Sequence, residues 1–545
     1  MNDLDATELL IHDTPQFFFD NALIEEVQNL TRTLHRPVNM DGNPLIRSDR
    51  PWEHVTYFTS VDWSLWRDVQ TGRFHCTYTD FKLDREKLAR AGGTLIDWDI
   101  SRLRQCYAYS DDGLRWVKPA LGLVHEHGHD TNIMLGSETY GNVWGLSVFQ
   151  DPLASDPSRR YLGLHVMAPP GFRVAADVPG AHVRLGHSPD GVHWTVADER
   201  PRFGRAGTRV GDSMVPDFDP ATGTYLLFTR HPWMGLAPRV RAPNRLAEGG
   251  SPEFDAVVDA PNRRSRRRIF LSESRDYLNW SEPRLILAPD SMVDNLDDAF
   301  YGMKPMRVGG QWLGFLQVFH MVSNTLDVQL VHSRDGRTWK RLFPGQAWLP
   351  CGPAGSWDQY YASLPRIPDV AGDEYWVYHG GGKSHHDWWI VGQREGLDVP
   401  EAWDWGKVGL AMGLAKLRKG GFVSIDAHRL REGMLATQPF VAAGDRLVIN
   451  AACGPGGYVK VEVADVRDRV LPGLSRDDCD AFTGDAVAHT VTWRGDLRLA
   501  QPSTADAGTV YTQRLEYRRL RFILRDAQLY SFQIVAARAD ARAGP

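Results

Sequence analysis

Alternation of apolar and polar residues over short stretches is the commonest pattern in this chain, and it predicts strands rather than helices. Tyr225-Leu-Leu-Phe-Thr is typical of the stretches that follow a tight turn. Five such units recur: Asp68–Phe81, Asp156–Val166, Asp219–Arg230, Val308–His320 and Val370–Gly380. Each reads as strand, turn and aromatic-rich strand. A second repeat interleaves with them, in the form S-x-D-x-x-x-W. Its copies run from Ser110 to Trp116, Ser188 to Trp194, Ser274 to Trp280 and Ser333 to Trp339. Three carry Asp-Gly, because glycine accepts the positive φ of a hairpin turn. The Ser and Asp side chains can bond the amides of their own turn. Inner hairpin followed by outer hairpin, repeated, predicts a five-bladed β-propeller. Gly409–Asp426 is the expected fifth outer hairpin, without the Ser/Asp/Trp turn.

Past residue 431 the blade pattern stops. Asp445–Ala451, Gly457–Asp465, His489–Arg494 and Arg518–Val535 are short strands with turn signals, the pattern of a β-sandwich. The expectation is therefore an all-β chain. Residues 1–48 form an arm, 49–431 the five-bladed propeller, and 432–545 a C-terminal β-sandwich.

Composition narrows the function. The 545 residues carry a net charge of −6 and no long basic run, which argues against nucleic acid and anionic membranes as partners. The first twenty residues lack the basic start of a signal peptide, and no stretch is long and apolar enough to span a bilayer. Five cysteines lie far apart with no CxxC pair, which fits a reducing, cytoplasmic setting and no zinc site. The 19 Trp, 17 Tyr and 22 Phe can fill β cores or form platforms for sugar rings. No cofactor motif stands out; a propeller channel leaves room for a structural ion. Gly380-Gly-Gly-Lys lacks the context of a phosphate loop.

Several stretches resemble a known group: FFFDNALIEEVQNLTRTLHRPV, RPWE, YSDDGLRWVKPALGL, DNLDDAFYGM, GGFVSIDA, LPGLSRDDCDAFTGD and LYSFQ. They are similar to bacterial family-32-like or sialidase-like hydrolases. A five-bladed propeller followed by a β-sandwich resembles glycoside hydrolases of families 32 and 68; the propeller alone resembles families 43 and 62. The resemblance implies a glycoside hydrolase acting on a small carbohydrate, by analogy a fructosyl or arabinosyl furanoside, with a homo-oligomer as one form of assembly. The chain departs from family 32 in lacking its Asn-Asp-Pro-Asn-Gly and Glu-Cys motifs. Asp151-Pro152 follows Gln150 where that family has Arg. No catalytic residue of that family transfers.

The resemblance also implies that acids sit where each innermost strand begins, around the axis. Asp212, Asp298 and Asp358 precede the turn glycines Gly223, Gly309 and Gly372 by similar offsets, so they form the expected catalytic set. Glycoside hydrolysis needs an acid and a base or nucleophile. Asp298 or Glu374 is the expected acid, and Asp212 or Asp358 the base or nucleophile. Expected sugar contacts are His231, Trp233, His320, Trp357, His385 and His386, with Glu138 and Asp62 pointing at the axis; Trp388 and Trp389 are further platforms. Glu53 reads as a structural carboxylate. His125-x-His127-x-His129 has spacing that could suit a metal but reads first as a surface loop. Two rival readings remain. A sialidase-like hydrolase or a lyase would use an arginine cluster and an axial tyrosine, and Arg202, Arg205 and Arg209 precede Asp212. A non-catalytic carbohydrate-binding propeller would turn its acids away from the axis.

Overall fold

The computed structural model describes residues 10–11, 13–59, 63–83, 101–136, 142–168, 182–204, 213–231, 267–290, 292–368, 370–389, 397–442, 444–497, 499 and 517–536. Asp62, Glu138, Asp212 and Trp233 lie outside them, as does the side chain of His231.

Antiparallel sheets follow one another along the chain as the alternating repeats predict, except that blades 4 and 5 belong to one nine-stranded sheet, joined where Leu326 pairs in parallel with Tyr361. Blade 1 is built from Val55–Tyr57 with Trp63–Arg67, then Phe74–Leu83, Ser101–Ser110 and Ile133–Leu135. Blade 2 is Asn142–Gln150, Tyr161–Ala168, His182–Ser188 and Thr195–Val196. Blade 3 is Met214–Asp219, Thr224–His231 and Arg268–Ser274, edged by Asn279–Trp280 and Arg284–Leu287. Blade 4 is Asp298–Val308, Gln311–His320, Thr325–Ser333 and Lys340–Leu342. Blade 5 is Tyr361–Ser363, Glu374–Gly382 and Leu410–Arg418, completed by Val38–Asn39 and Ile46–Arg47.

The apolar faces of neighbouring blades pack in pairs, and those pairs close a ring. Tyr107, Leu146 and Val192 join blades 1 and 2; Phe149, Leu227 and Tyr277 join 2 and 3. Phe228, Phe300 and Trp339 join 3 and 4; Phe315, Val328 and Val377 join 4 and 5. Phe74, Tyr378 and Leu414 join blade 5 back to blade 1. Small hydroxyls let the innermost strands approach closely. Ser64 Oγ donates to Leu146 O at 3.2 Å, Ser147 Oγ to Met214 O, and Ser363 Oγ to Phe58 O.

The S-x-D-x-x-x-W turns lie between third and outermost strands. In each, the Asp Oδ1 accepts from two amides; for Asp335 these are Arg337 N at 2.7 Å and Thr338 N at 2.6 Å. Trp339 Nε1 then donates to Gly336 O at 3.0 Å. The turn position after the Asp has φ of 76°, 79° and 70° at Gly113, Gly191 and Gly336. In blade 3 Tyr277 takes the same conformation, with φ 62°. A side chain there is strained, but its buried ring stacks on Phe149 at 5.8 Å and meets Trp280 at 5.3 Å.

The segment read as an arm is built into both halves of the molecule. Gln16–Phe17, Ile24–Gln28 and Leu30–Leu34 pair with the C-terminal sheet, and Val38–Asn39 with Ile46–Arg47 forms the outer edge of blade 5. The expected fifth outer hairpin is thus corrected: Leu410–Arg418 stays in blade 5, but Val423–Ala427 leaves it to pair with Leu30–Leu34 and Arg519–Val535. In the C-terminal sheet two expected strands are one, Arg446–Ala464, bulged between Cys453 and Tyr458. Together with Arg519–Val535 it folds over a core that includes Phe18, Leu447, Val461, Trp493, Phe522 and Phe532. Among the described residues no helix is long and apolar enough to cross a membrane.

Candidate active site at the propeller mouth

The innermost strands all begin at one end of the ring, and antiparallel pairing brings the ends of the second strands there too. Asp298 opens the innermost strand of blade 4 and faces His320 at the end of its neighbour. The carboxylate is buried. Its Oδ1 is 2.6 Å from His320 Nδ1, and its Oδ2 accepts from Asn295 N at 2.8 Å. His320 Nε2 reaches Asp327 Oδ2 at 3.1 Å. Burial alone would neutralise this imidazole, but hydrogen bonds to Asp298 and then Asp327 outweigh it and push the pKa up to about 10. His320 is therefore a cation between two carboxylates rather than an open sugar contact. Asp327 was not singled out in the sequence. Its one signal is a charged residue between Leu326 and Val328, both fully buried.

A ring of polar aromatics lies across the same end. His386 Nε2 is 2.7 Å from Tyr301 Oη, and its Nδ1 is 3.5 Å from Tyr57 Oη. These tyrosines belong to the innermost strands of blades 4 and 1. Burial, reinforced by Arg267 and Arg230, holds His386 well below the usual histidine range, so it is neutral. The guanidinium carbons of Arg230 and Arg267 lie 4.1 and 4.7 Å from the Tyr301 ring centre. Trp389 is buried edge-on against Phe81 and Tyr57. It serves as packing, not as an exposed platform.

On blade 5 the structure separates residues that the sequence grouped. Asp358 is buried three residues before the innermost strand, but its Oδ2 accepts from Asn39 Nδ2 at 2.9 Å and its Oδ1 from Ser356 Oγ at 2.7 Å. Asn39 belongs to the outermost strand, so Asp358 points away from the axis and ties the ring closed. Trp357 packs beside it, 5.0 Å from the His379 ring. Glu374 begins the second strand, at the end opposite the mouth. It is half exposed and pairs with Lys416 at 2.9 Å. Strand direction alone removes it from the set containing Asp298.

His385 lies in the segment after the second strand of blade 5. Its ring is stacked between Tyr360 and Trp388, with centroids 3.8 and 3.9 Å away. Its Nδ1 is 2.5 Å from Glu401 Oε1, which also accepts the His385 amide at 3.0 Å. Burial disfavours a charged Glu401, but the bonds from the His385 side chain and amide prevail and lower its pKa. Glu401 sits in a short helical turn, Pro400–Trp403, and no local pattern marked it.

The remaining candidates are structural. Glu53 accepts from Tyr78 Oη and Lys118 Nζ, both at 2.7 Å. His125 and His129 flank a tight hairpin whose turn is His127-Gly128, with φ of 51° and 77°. At the far end of the axis, Arg366 of blade 5 reaches Asp217 of blade 3 at 3.2 Å and lies over the Phe149 ring of blade 2.

No family model matches this chain, and no curated protein does. Solved structures are similar at low identity. An N-acetylgalactosamine deacetylase from F. plautii, in complex with blood group B trisaccharide, is 17% identical with a TM-score of 0.42; the match covers 71% of this chain and 96% of that one. A β-1,2-mannobiose phosphorylase from Listeria innocua is 11% identical with a TM-score of 0.42, over 70% and 96%. A family 43 arabinoxylan arabinofuranohydrolase from Bacillus subtilis, in complex with cellotetraose, is 10% identical with a TM-score of 0.37, over 92% and 99%.

Proposed function

We propose that the chain is a glycoside hydrolase that cleaves a small glycoside or oligosaccharide at the propeller mouth. The observation that carries this reading is Asp298: a buried carboxylate at the start of an innermost strand, fixed by an imidazolium and a backbone amide. An imidazolium on its Oδ1 suits Asp298 to the role of base or nucleophile rather than proton donor. Asp212 opens the corresponding part of blade 3 in the sequence and is the proposed second carboxyl group. The resemblance in architecture to families 32, 43, 62 and 68 supports, by analogy of fold, a furanoside, fructosyl or arabinosyl. Purified wild type, Asp298→Asn and Asp212→Asn, with folding verified by circular dichroism, should be assayed on a panel of aryl furanosides and pyranosides. Turnover by wild type and loss of at least about a hundredfold in either variant is the expected result. Wild type inert on every glycoside sinks the reading.

A second reading has its own observation, the two arginines against an axial tyrosine. Guanidinium groups recognise carboxylates, so Tyr301 with Arg230 and Arg267 supports a sialidase-like enzyme acting on an acidic sugar. An aryl sialoside and an aryl glucuronide belong in the same panel. Turnover of either, abolished by Tyr301→Phe, would favour this reading over the first.

A further inference from the structure

Two groups expected to donate a proton do not fit that role, because Glu374 lies at the wrong end of blade 5 and Asp298 holds an imidazolium. His385 has the features such a donor needs. Tyr360 and Trp388 cover both faces of its ring, and Glu401 takes Nδ1. The ring cannot turn, and its Nε2 has no partner among the described residues. A histidine kept only for packing would bury or bond that edge. Here the one atom left open is the one that exchanges protons, in the tautomer a carboxylate on Nδ1 selects. The neighbouring residues fix the segment at the mouth: His386 N donates to Asn324 O at 3.1 Å and Asp387 N to Asn324 Oδ1 at 2.8 Å, four residues past His320.

We infer that His385 is the general acid of the mouth and Glu401 its positioning residue; this rests on the glycosidase reading above. In the step assigned to it, the proton on Nε2 passes to the glycosidic oxygen as the bond from that oxygen to the anomeric carbon breaks. The alcohol leaves neutral, and His385 is left as neutral imidazole. Water adds to the anomeric carbon, directly or after a glycosyl-enzyme, and the proton it sheds restores the imidazolium.

The test is leaving-group dependence. A dinitrophenyl glycoside needs no proton on its leaving oxygen, whereas an alkyl glycoside does. His385→Gln in the full chain should lower kcat/KM on the alkyl glycoside by about a hundredfold or more and on the dinitrophenyl glycoside by less than about tenfold. Glu401→Gln should show the same selective loss to a smaller degree, with Glu401→Asp recovering part of it. Both substrates falling together, or neither falling, overturns the inference even where wild type is active. If Asp298→Asn leaves activity on both substrates intact, the catalytic reading itself has failed. Circular dichroism of all four variants separates these outcomes from misfolding.

Discussion

Asn39 bridges Asp358 and His379: its Nδ2 donates to Asp358 Oδ2 at 2.9 Å, and its Oδ1 lies 2.8 Å from His379 Nε2. One amide near the beginning of the chain thus satisfies two buried groups of blade 5. Asn39→Ala should leave both without that partner and cost roughly 1–3 kcal/mol. Urea unfolding would show a lower midpoint with an unchanged slope. Asp358→Asn, tested in the same way, should destabilise without the leaving-group signature sought at His385.

His320 makes an alkaline prediction. Its pKa is raised to about 10 in the folded chain, against an ordinary histidine value near 6.5. The charged form is favoured by folding, so its contribution is fully present below about pH 6.5 and disappears as pH rises through about 10. His320→Gln should lower stability at neutral pH and flatten the decline between pH 7 and 10. Thermal midpoints of both proteins across that range test it; parallel curves would count against the charged bridge.

His165 makes the opposite one. It is buried in the second strand of blade 2. Burial comes first and Arg184 adds to it; a bond with the Gly163 backbone opposes them without prevailing, and the pKa falls to about 4. Folding favours the neutral ring, so stability is present above about pH 6.5 and is lost as pH falls towards 4, by at most about 3 kcal/mol. His165→Phe should shrink the acid loss measured by unfolding at pH 7 and pH 4.5.

Gly336 marks a turn where a side chain is strained. Its φ is 70°, and a Cβ would sit 3.1 Å from the Trp312 ring. Gly336→Ala should cost about 1–2 kcal/mol from the left-handed conformation alone. Tyr277→Gly, at the equivalent turn, should relieve that strain and still destabilise, because it removes a ring buried between blades 2 and 3. Calorimetric midpoints of the two variants give the comparison.

What could be read in the sequence was local. Ser333, Asp335 and Trp339 lie within one turn and bond one another or its backbone, so their pattern repeats wherever a blade has that hairpin. Asp298 was found by its offset from Gly309, which counts the residues of one strand. The same counting failed at Asp358, because the segment before Tyr361 is not strand and crosses towards Asn39. Glu374 was misplaced since alternation tells which face a residue takes, not which end of the ring it occupies. Asp327 and Glu401 meet their histidines only through strand pairing and a loop closure. Leu410–Arg418, a Gly-Gly turn and Val423–Ala427 have the sequence form of a hairpin, and only their partners reveal that the second strand has changed sheets.

The double use of the first fifty residues bears on how the molecule is made. These strands are made before the blades, while their partners, from Leu410 to Val535, are made only after the first four. Pairings of such sequence separation are slow to form. Until those partners are made, the early strands have exposed backbone groups. Neither half can complete itself alone, so assembly should finish in a late step that joins the early strands to Leu410–Val535.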